Sequence, residues 1–312
     1  MRIFNTNTSR VIVDTVRVDE NGYVNEDGDY AIPGVKGTGS EIRIAFVDPA
    51  GSMTGKLFPT DRRSDLITIK ERNGSCFFVR ATLIDAANPF VVVDASTLPP
   101  YLQTCAKDTA GYLEHMESIR CAGAVMMGLA PSTEAAAKIR GTPKLALVSP
   151  APPVEPSKTS MCSHELSIQV LAFSMGKPHP SLQLTGAACL ASAVCIEGTV
   201  AHRISSRSNA PTLKSAALLD ALSKGLITTE RSPSPESDPS SPASAASEEE
   251  SDVSTPDSSL HAQERTVTIH HASGAIDVGV VAACSEEWAV VERCSVSRTA
   301  RRLFDGTVYY YQ

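Results

Sequence analysis

The stretch from residue 171 to 197, LAFSMGKPHPSLQLTGAACLASAVCIE, constrains this chain more than any other. A helical pattern over 163–175 runs into Ser174-Met175-Gly176-Lys177, and a Pro-bearing link follows. The chain then re-enters helix at Thr185-Gly186-Ala187-Ala188-Cys189, so Lys177 and Cys189 stand twelve residues apart beside a helix start of small residues. Such a start presents unpaired backbone N–H groups and the positive end of the helix dipole, which suits a carboxylate. A thiol there would have a depressed pKa and more thiolate character. The competing reading is a tight loop packed on a helix of small residues, with Cys189 an inert buried thiol, because most cysteines behave as small hydrophobes.

Strand patterns flank this stretch. Residues 10–18 (RVIVDTVRV) and 41–47 (EIRIAFV) alternate, and shorter strands are expected over 66–69, 76–83 and 90–93. Asn21-Gly22 and Asp27-Gly28 are turn signals, and Pro49-Ala50-Gly51 stops the second strand. The pattern is that of an antiparallel meander with no helix between successive strands. Asp85-Ala86-Ala87-Asn88-Pro89-Phe90 then breaks it. It reads as a connector; the functional alternative gives Asn88 an amide to offer a ligand at a domain junction.

From Asp108 the period becomes helical. Asp108 or Thr109 caps a helix whose apolar face is Leu113, Met116, Ile119 and Val125 to Met127, and Gly128 and Pro131 end it. A shorter helix over 132–139, a strand over 145–149 and a Pro-rich loop over 150–156 follow. Beyond the central stretch we expect a strand over 199–204, a helix over 213–226, and strands over 265–270, 276–283 and 288–296. His270-His271-Ala272-Ser273-Gly274 is a hairpin turn. Ser273 and Gly274 either offer a hydroxyl and backbone N–H groups to an anion, or Gly274 simply makes the turn. The adjacent histidines lack metal-ligand spacing, so no metal is expected. Arg298, Arg301 and Arg302 read as a solvated strand face, with Asp305-Gly306 turning into a last strand.

Residues 229–261 are Ser, Pro, Ala and acid with almost no apolar mass. They cannot bury enough surface to offset their ordering entropy, which predicts a disordered surface insertion. Within it residues 232–259 hold seven acids and no Lys or Arg, which explains the net charge of −7: the rest of the chain has 28 acids against 28 bases. A near-neutral body disfavours nucleic-acid binding. No apolar run of transmembrane length and no signal peptide is visible, so a cytoplasmic protein without membrane contact is expected. The eight cysteines show no Cys-x-x-Cys spacing and read as reduced thiols.

Several segments together resemble one family. They are RIFNTNT (2–8), PGVKGTGSEIRIAFVDPAGSMTGKLFPT (33–60), IDAANPF (84–90), MMGLA (126–130), SMGKPH (174–179), TGAAC (185–189), GTV (198–200), HHASG (270–274) and RTARRLFDGTVYY (298–310). In this order and spacing they are similar to the PrpF proteins, which include 2-methylaconitate cis–trans isomerase and the aconitate and methylitaconate Δ-isomerases. The resemblance implies an α+β, diaminopimelate-epimerase-like fold of two pseudo-symmetric domains, each a central helix wrapped by antiparallel sheet. On that basis residues 1–84 with 285–312 are expected as a first domain, and 85–284 as a second carrying the insertion.

The family chemistry implies no cofactor and a small carboxylate as partner; a homo-oligomer is compatible with it. A base removes a proton beside an activated carboxylate and an acid returns one elsewhere on the allylic system. Carried onto this chain, Lys177 and Cys189 are the candidate catalytic residues. Thr185, Gly186, Ala187, Ser273, Gly274 and Asn88 are the candidate substrate contacts. The family also has a section before RIFNTNT with a Ser-Lys motif and a Cys-Gly-Asn motif, whereas this sequence begins at Met1-Arg2-Ile3-Phe4. The expectation is therefore an incomplete first domain, from a truncated gene model, a degenerate paralogue or a chain completed by another polypeptide. Isomerase activity would then be weak, and the alternative is a non-catalytic binding or accessory protein. Ala275 also stands where the family commonly has a larger apolar residue.

Overall fold

Val and Ile alternate between turn residues at both ends of the chain, and those segments become strands. The structure, a computed structural model, describes residues 1–152, 166–208, 263–303, 306, 307 and 309. The first strands are β1 (Arg2–Asn5), β2 (Arg10–Thr15), β3 (Tyr30–Ala31), β4 (Thr38–Gly39), β5 (Ile42–Val47), β6 (Asp65–Lys70), β7 (Cys76–Asp85) and β8 (Pro89–Asp94). Then come α1 (Pro100–Thr104), α2 (Ala110–Met126), α3 (Thr133–Lys138), β9 (Lys144–Pro150), β10 (Leu166–Ser174), β11 (Lys177–Pro178), α4 (Leu184–Cys195) and α5 (Val200–Ser208). The last strands are β12 (Gln263–His271), β13 (Gly274–Cys284) and β14 (Ala289–Arg298).

One sheet runs β1-β2-β5-β14-β13-β12-β10-β9-β8-β7-β6, with β11 attached to β10. Its pairings are antiparallel except β8–β9 and β10–β12. β6, β7 and β8 form the expected meander. β5 instead pairs with β2 and β14, so the C-terminal strands are inserted beside the N-terminal ones. The boundary expected between residues 84 and 85 falls inside β7.

The sheet separates two apolar cores. On one face α4 and α5 pack against Ile84, Phe90, Val92, Ala146, Val148, Ile168 and Val170. On the other, α2 packs Met116 and Ile119 against Leu83, Val91, Val93, Leu145 and Leu147. Burying each large side chain of this kind contributes roughly 1.5–3 kcal/mol. The central strands thus alternate between two dry faces, which explains their continuous apolar runs. α2 ends as its sequence predicts: Gly128 has φ +72°, and Leu129 N–H and Gly128 N–H reach back to Ala124 and Val125 carbonyls.

Several expectations need correction. Residues 163–175 do not form a helix where they are described; 166–174 are strand β10. Ile168, Val170 and Ala172 line one core and Phe173 the other, and a strand apolar on both faces loses the alternation that identifies it. Met175 (φ +54°) and Gly176 (φ +77°) make the two-residue turn into β11, with Ser174 opposite Lys177. Residues 200–204 are helix α5, not strand: Thr199 Oγ1 accepts from His202 N–H at 3.1 Å as an N-cap. Asp27-Gly28 is not a positive-φ turn; a Cβ on Gly28 would sit 2.7 Å from the Gly39 oxygen, so close backbone approach demands this glycine. Arg298 is half-buried rather than solvated, and residues 306, 307 and 309 are not in a strand. The helix expected over 213–226 and the insertion at 229–261 lie outside the described residues.

Candidate functional site

The central feature is the amino end of α4. From Gly186 to Cys195 every residue of this helix is buried, which its Gly, Ala, Ser and Cys side chains allow. The first intrahelical bond at this end runs from Ala187 N–H to the Gln183 carbonyl at 2.8 Å. The N–H groups of Leu184, Thr185 and Gly186 therefore have no place in the helix ladder. Gln183 is the N-cap, yet its side chain makes no capping bond. Both polar atoms of its amide are enclosed and have no hydrogen-bond partner among the described residues.

The β7–β8 hairpin closes over this helix start. Its Ala86–Asn88 turn holds Ala87 at φ +62°, with Ala87 N–H bonded to the Pro49 carbonyl at 2.7 Å. Phe90 comes so near that a Cβ on Gly186 would lie 2.9 Å from its ring and 3.2 Å from Gln183 Oε1. Thr185 and Asn88 are half-buried beside this contact, and Ala187 is fully buried. Asp85 anchors the hairpin. Its buried carboxylate accepts from Ser52 Oγ, from Met53 and Thr54 N–H at 2.8 Å each, and from Thr54 Oγ1 at 2.9 Å.

Cys189 is the sixth residue of α4 and wholly buried. Its Sγ lies 3.8 Å from the Ile84 carbonyl. Burial pushes the thiol far above its ordinary range, and the Asp85 carboxylate adds to the effect. The expectation of a depressed pKa is thus reversed: in the closed hairpin, desolvation outweighs the helix dipole. Lys177 is exposed at the β10–β11 turn, and its side chain makes no hydrogen bond or ion pair among the described residues. The structure therefore brings Thr185, Gly186, Ala187 and Cys189 together with Asn88's hairpin, and leaves Lys177 out in solvent.

The β12–β13 turn is tied to the segment that leads into α4. Ser273 and Gly274 are exposed, and Ser273 Oγ donates to the Pro180 carbonyl, four residues before α4 begins. A Cβ on Gly274, at φ +141°, would lie 2.6 Å from Pro33 Cβ, so this glycine is required for more than the turn. The sequence reading gave no functional role to Asp85, Phe90, Gln183 or His179, weighed His271 only as a metal ligand and rejected it, and read Arg298 as a solvated strand face. For Asp85 and His179 the available signal was position inside the IDAANPF and SMGKPH segments. For Gln183 there was none, because an orphaned amide is a property of packing.

The sequence model of the PrpF protein family matches residues 1–231 and 250–311. The chain is 31% identical over 209 residues to the 2-methyl-aconitate isomerase of Cupriavidus necator, covering 65% of this chain and 52% of that protein. It is 29% identical over 208 residues to the 3-methylitaconate isomerase of Eubacterium barkeri, covering 65% and 53%. The crystal structure of methylitaconate-delta-isomerase matches with a TM-score of 0.63 at 26% identity, over 98% of this chain and 65% of that one. The chain spans about half the length of these two sequence relatives. Its large sheet and few helices have the α+β, diaminopimelate-epimerase-like character expected from the sequence.

Proposed function

Because the chain belongs to the PrpF family, we propose that it takes part in the cofactor-independent isomerisation of an unsaturated di- or tricarboxylate of the aconitate, methylaconitate or methylitaconate type. The observation that carries this reading is the amino end of α4, with its unladdered N–H groups and the orphaned Gln183 amide. Removing a proton beside a carboxylate moves negative charge onto the carboxylate oxygens. Fixed N–H dipoles aimed at those oxygens stabilise that charge without reorganising. Ser273 and the Gly274 N–H would hold a second carboxylate. Lys177 and Cys189 are the proposed proton carriers. In its buried, protonated state the Cys189 thiol can give a proton but not take one, so it belongs on the acid side.

Turnover by residues 1–312 alone is expected to be slow, because Cys189 is sealed under the hairpin and Lys177 stands in solvent. The test is proton NMR in D2O with trans-aconitate and methylitaconate. Saturable binding with slow deuterium incorporation supports the proposal. No binding and no exchange would sink it. Binding with no exchange at all supports the second reading, a non-catalytic binding protein, which the enclosure of Cys189 favours.

A further inference from the structure

We propose that His179, His271 and Arg298 form a cationic clasp that takes one carboxylate of the substrate. The proposal rests on the polycarboxylate reading above and names the side chains that grip.

The strand registers bring the three together. β12 runs parallel to β10, with His270 opposite Gln169. β12 ends one residue later, at His271. Beyond that point β11 takes over the same partner strand, pairing Pro178 with Phe173, and His179 N–H bonds to the Ala172 carbonyl at 2.8 Å. The ends of β12 and β11 therefore approach each other along β10. Arg298 closes β14, which pairs with β13, and β13 begins at Gly274 immediately after the β12 turn. The Ser273 to Pro180 hydrogen bond ties that turn to the His179 segment.

The bonding leaves each group with something to offer. His271 Nδ1 accepts from Ser273 N–H at 3.2 Å, so a neutral ring carries its proton on Nε2 as a donor. His179 Nδ1 lies 2.6 Å from the Ser181 carbonyl oxygen and donates to it, so its unengaged Nε2 offers a donor to a carboxylate only when the ring is an imidazolium. Arg298 uses Nη1 on the neighbouring Ser297 carbonyl at 2.8 Å, and its remaining donors have no partner among the described residues.

The groups that act on His271 are imidazoles and a guanidinium, and the Glu41 carboxylate on the approach to β5 is taken up by Ser297 Oγ at 2.6 Å. Burial, then Arg298, His179 and His270, hold the His271 imidazole below its ordinary range, and no carboxylate is among those neighbours. Arg298 is itself half-buried, with Tyr30 beside it. A guanidinium among imidazoles repels a metal cation and attracts an anion. Among the described residues no cluster could hold a metal.

The probe is tricarballylate, a saturated tricarboxylate that cannot isomerise, titrated calorimetrically into the 1–312 protein at low salt. The wild type should bind, more tightly as pH falls and His271 gains its proton. Arg298→Gln should weaken binding roughly tenfold to a hundredfold, the usual worth of a charge-assisted hydrogen bond. His271→Gln should weaken it and flatten the pH dependence, and this variant serves if Arg298→Gln fails to fold. No binding by the wild type, or wild-type affinity in both variants, overturns the clasp. Equally tight binding of inorganic phosphate overturns the assignment to carboxylate. Binding lost in the variants while the wild type shows no deuterium exchange would leave the clasp standing and the isomerase reading fallen. Isomerisation with an unchanged KM in both variants would do the reverse.

Discussion

Replacing Gln183 by Met should stabilise the protein. Gln183 starts α4 without capping it, so the substitution removes no helix-capping bond. Its amide oxygen and nitrogen are both enclosed and unpartnered. Leaving such a group unsatisfied costs about 1–3 kcal/mol, and Met is unbranched and of similar length, so the apolar replacement recovers most of that. For a folded unit of this size the gain corresponds to a rise in Tm of about 2–8 °C. Thermal and urea unfolding would measure it. The same change should weaken carboxylate binding, because it removes a donor beside the free N–H groups of α4; gain of stability with loss of function is expected at a binding site. A Gln183→Met protein less stable than wild type would refute the reasoning, since the amide would then have a partner in solution.

Gly186→Ala should destabilise by about 1–3 kcal/mol in urea titrations, because the new methyl meets Phe90 at 2.9 Å and cannot be accommodated without repacking. Asp85→Ala strands the donors of Ser52, Met53 and Thr54 and should cost about 3–5 kcal/mol, with exposure of Cys189 to alkylation as a second readout. In the wild type Cys189 should resist iodoacetamide while exposed Cys76 reacts; equal rates would count against the sealed site. Burial also raises Cys195 to about 12 and Cys294 to about 11 from an ordinary 9.0. The unfolded chain ionises these thiols first, so stability should fall as pH rises through 9 towards 11, by up to about 1.4 kcal/mol per pH unit for each group. A flat stability profile across that window would show that the thiols are not buried.

Much of the frame is legible locally. Residues 65–70 alternate in burial because one face is wet, and that strand follows from period alone; the strands at 10–15 and 42–47 follow from their β-branched residues. Helix α2 has an apolar stripe, a start at Thr109 and a glycine stop. Legibility fails where both faces are dry. β10 reads as helix because Leu171 and Phe173 fill the alternation left by Ile168, Val170 and Ala172. α5 reads as strand because the Thr199 cap looks like one more β-branched residue.

The candidate site divides in the same way. The sequence by itself determined that a helix of small residues starts near Thr185, that a turn lies at Ser273-Gly274, and that the ordered motifs are those of the PrpF family. All of these are properties of neighbouring residues or of their order along the chain. Only the tertiary structure decided the state of Cys189, which the β7–β8 hairpin desolvates, and the isolation of Gln183. It alone brought His179, His271 and Arg298 to one corner. Local chemistry sets what a side chain can do, whereas dielectric, exposure and neighbouring charge depend on segments far away in sequence, and here those segments turned a presumptive thiolate into a sealed thiol.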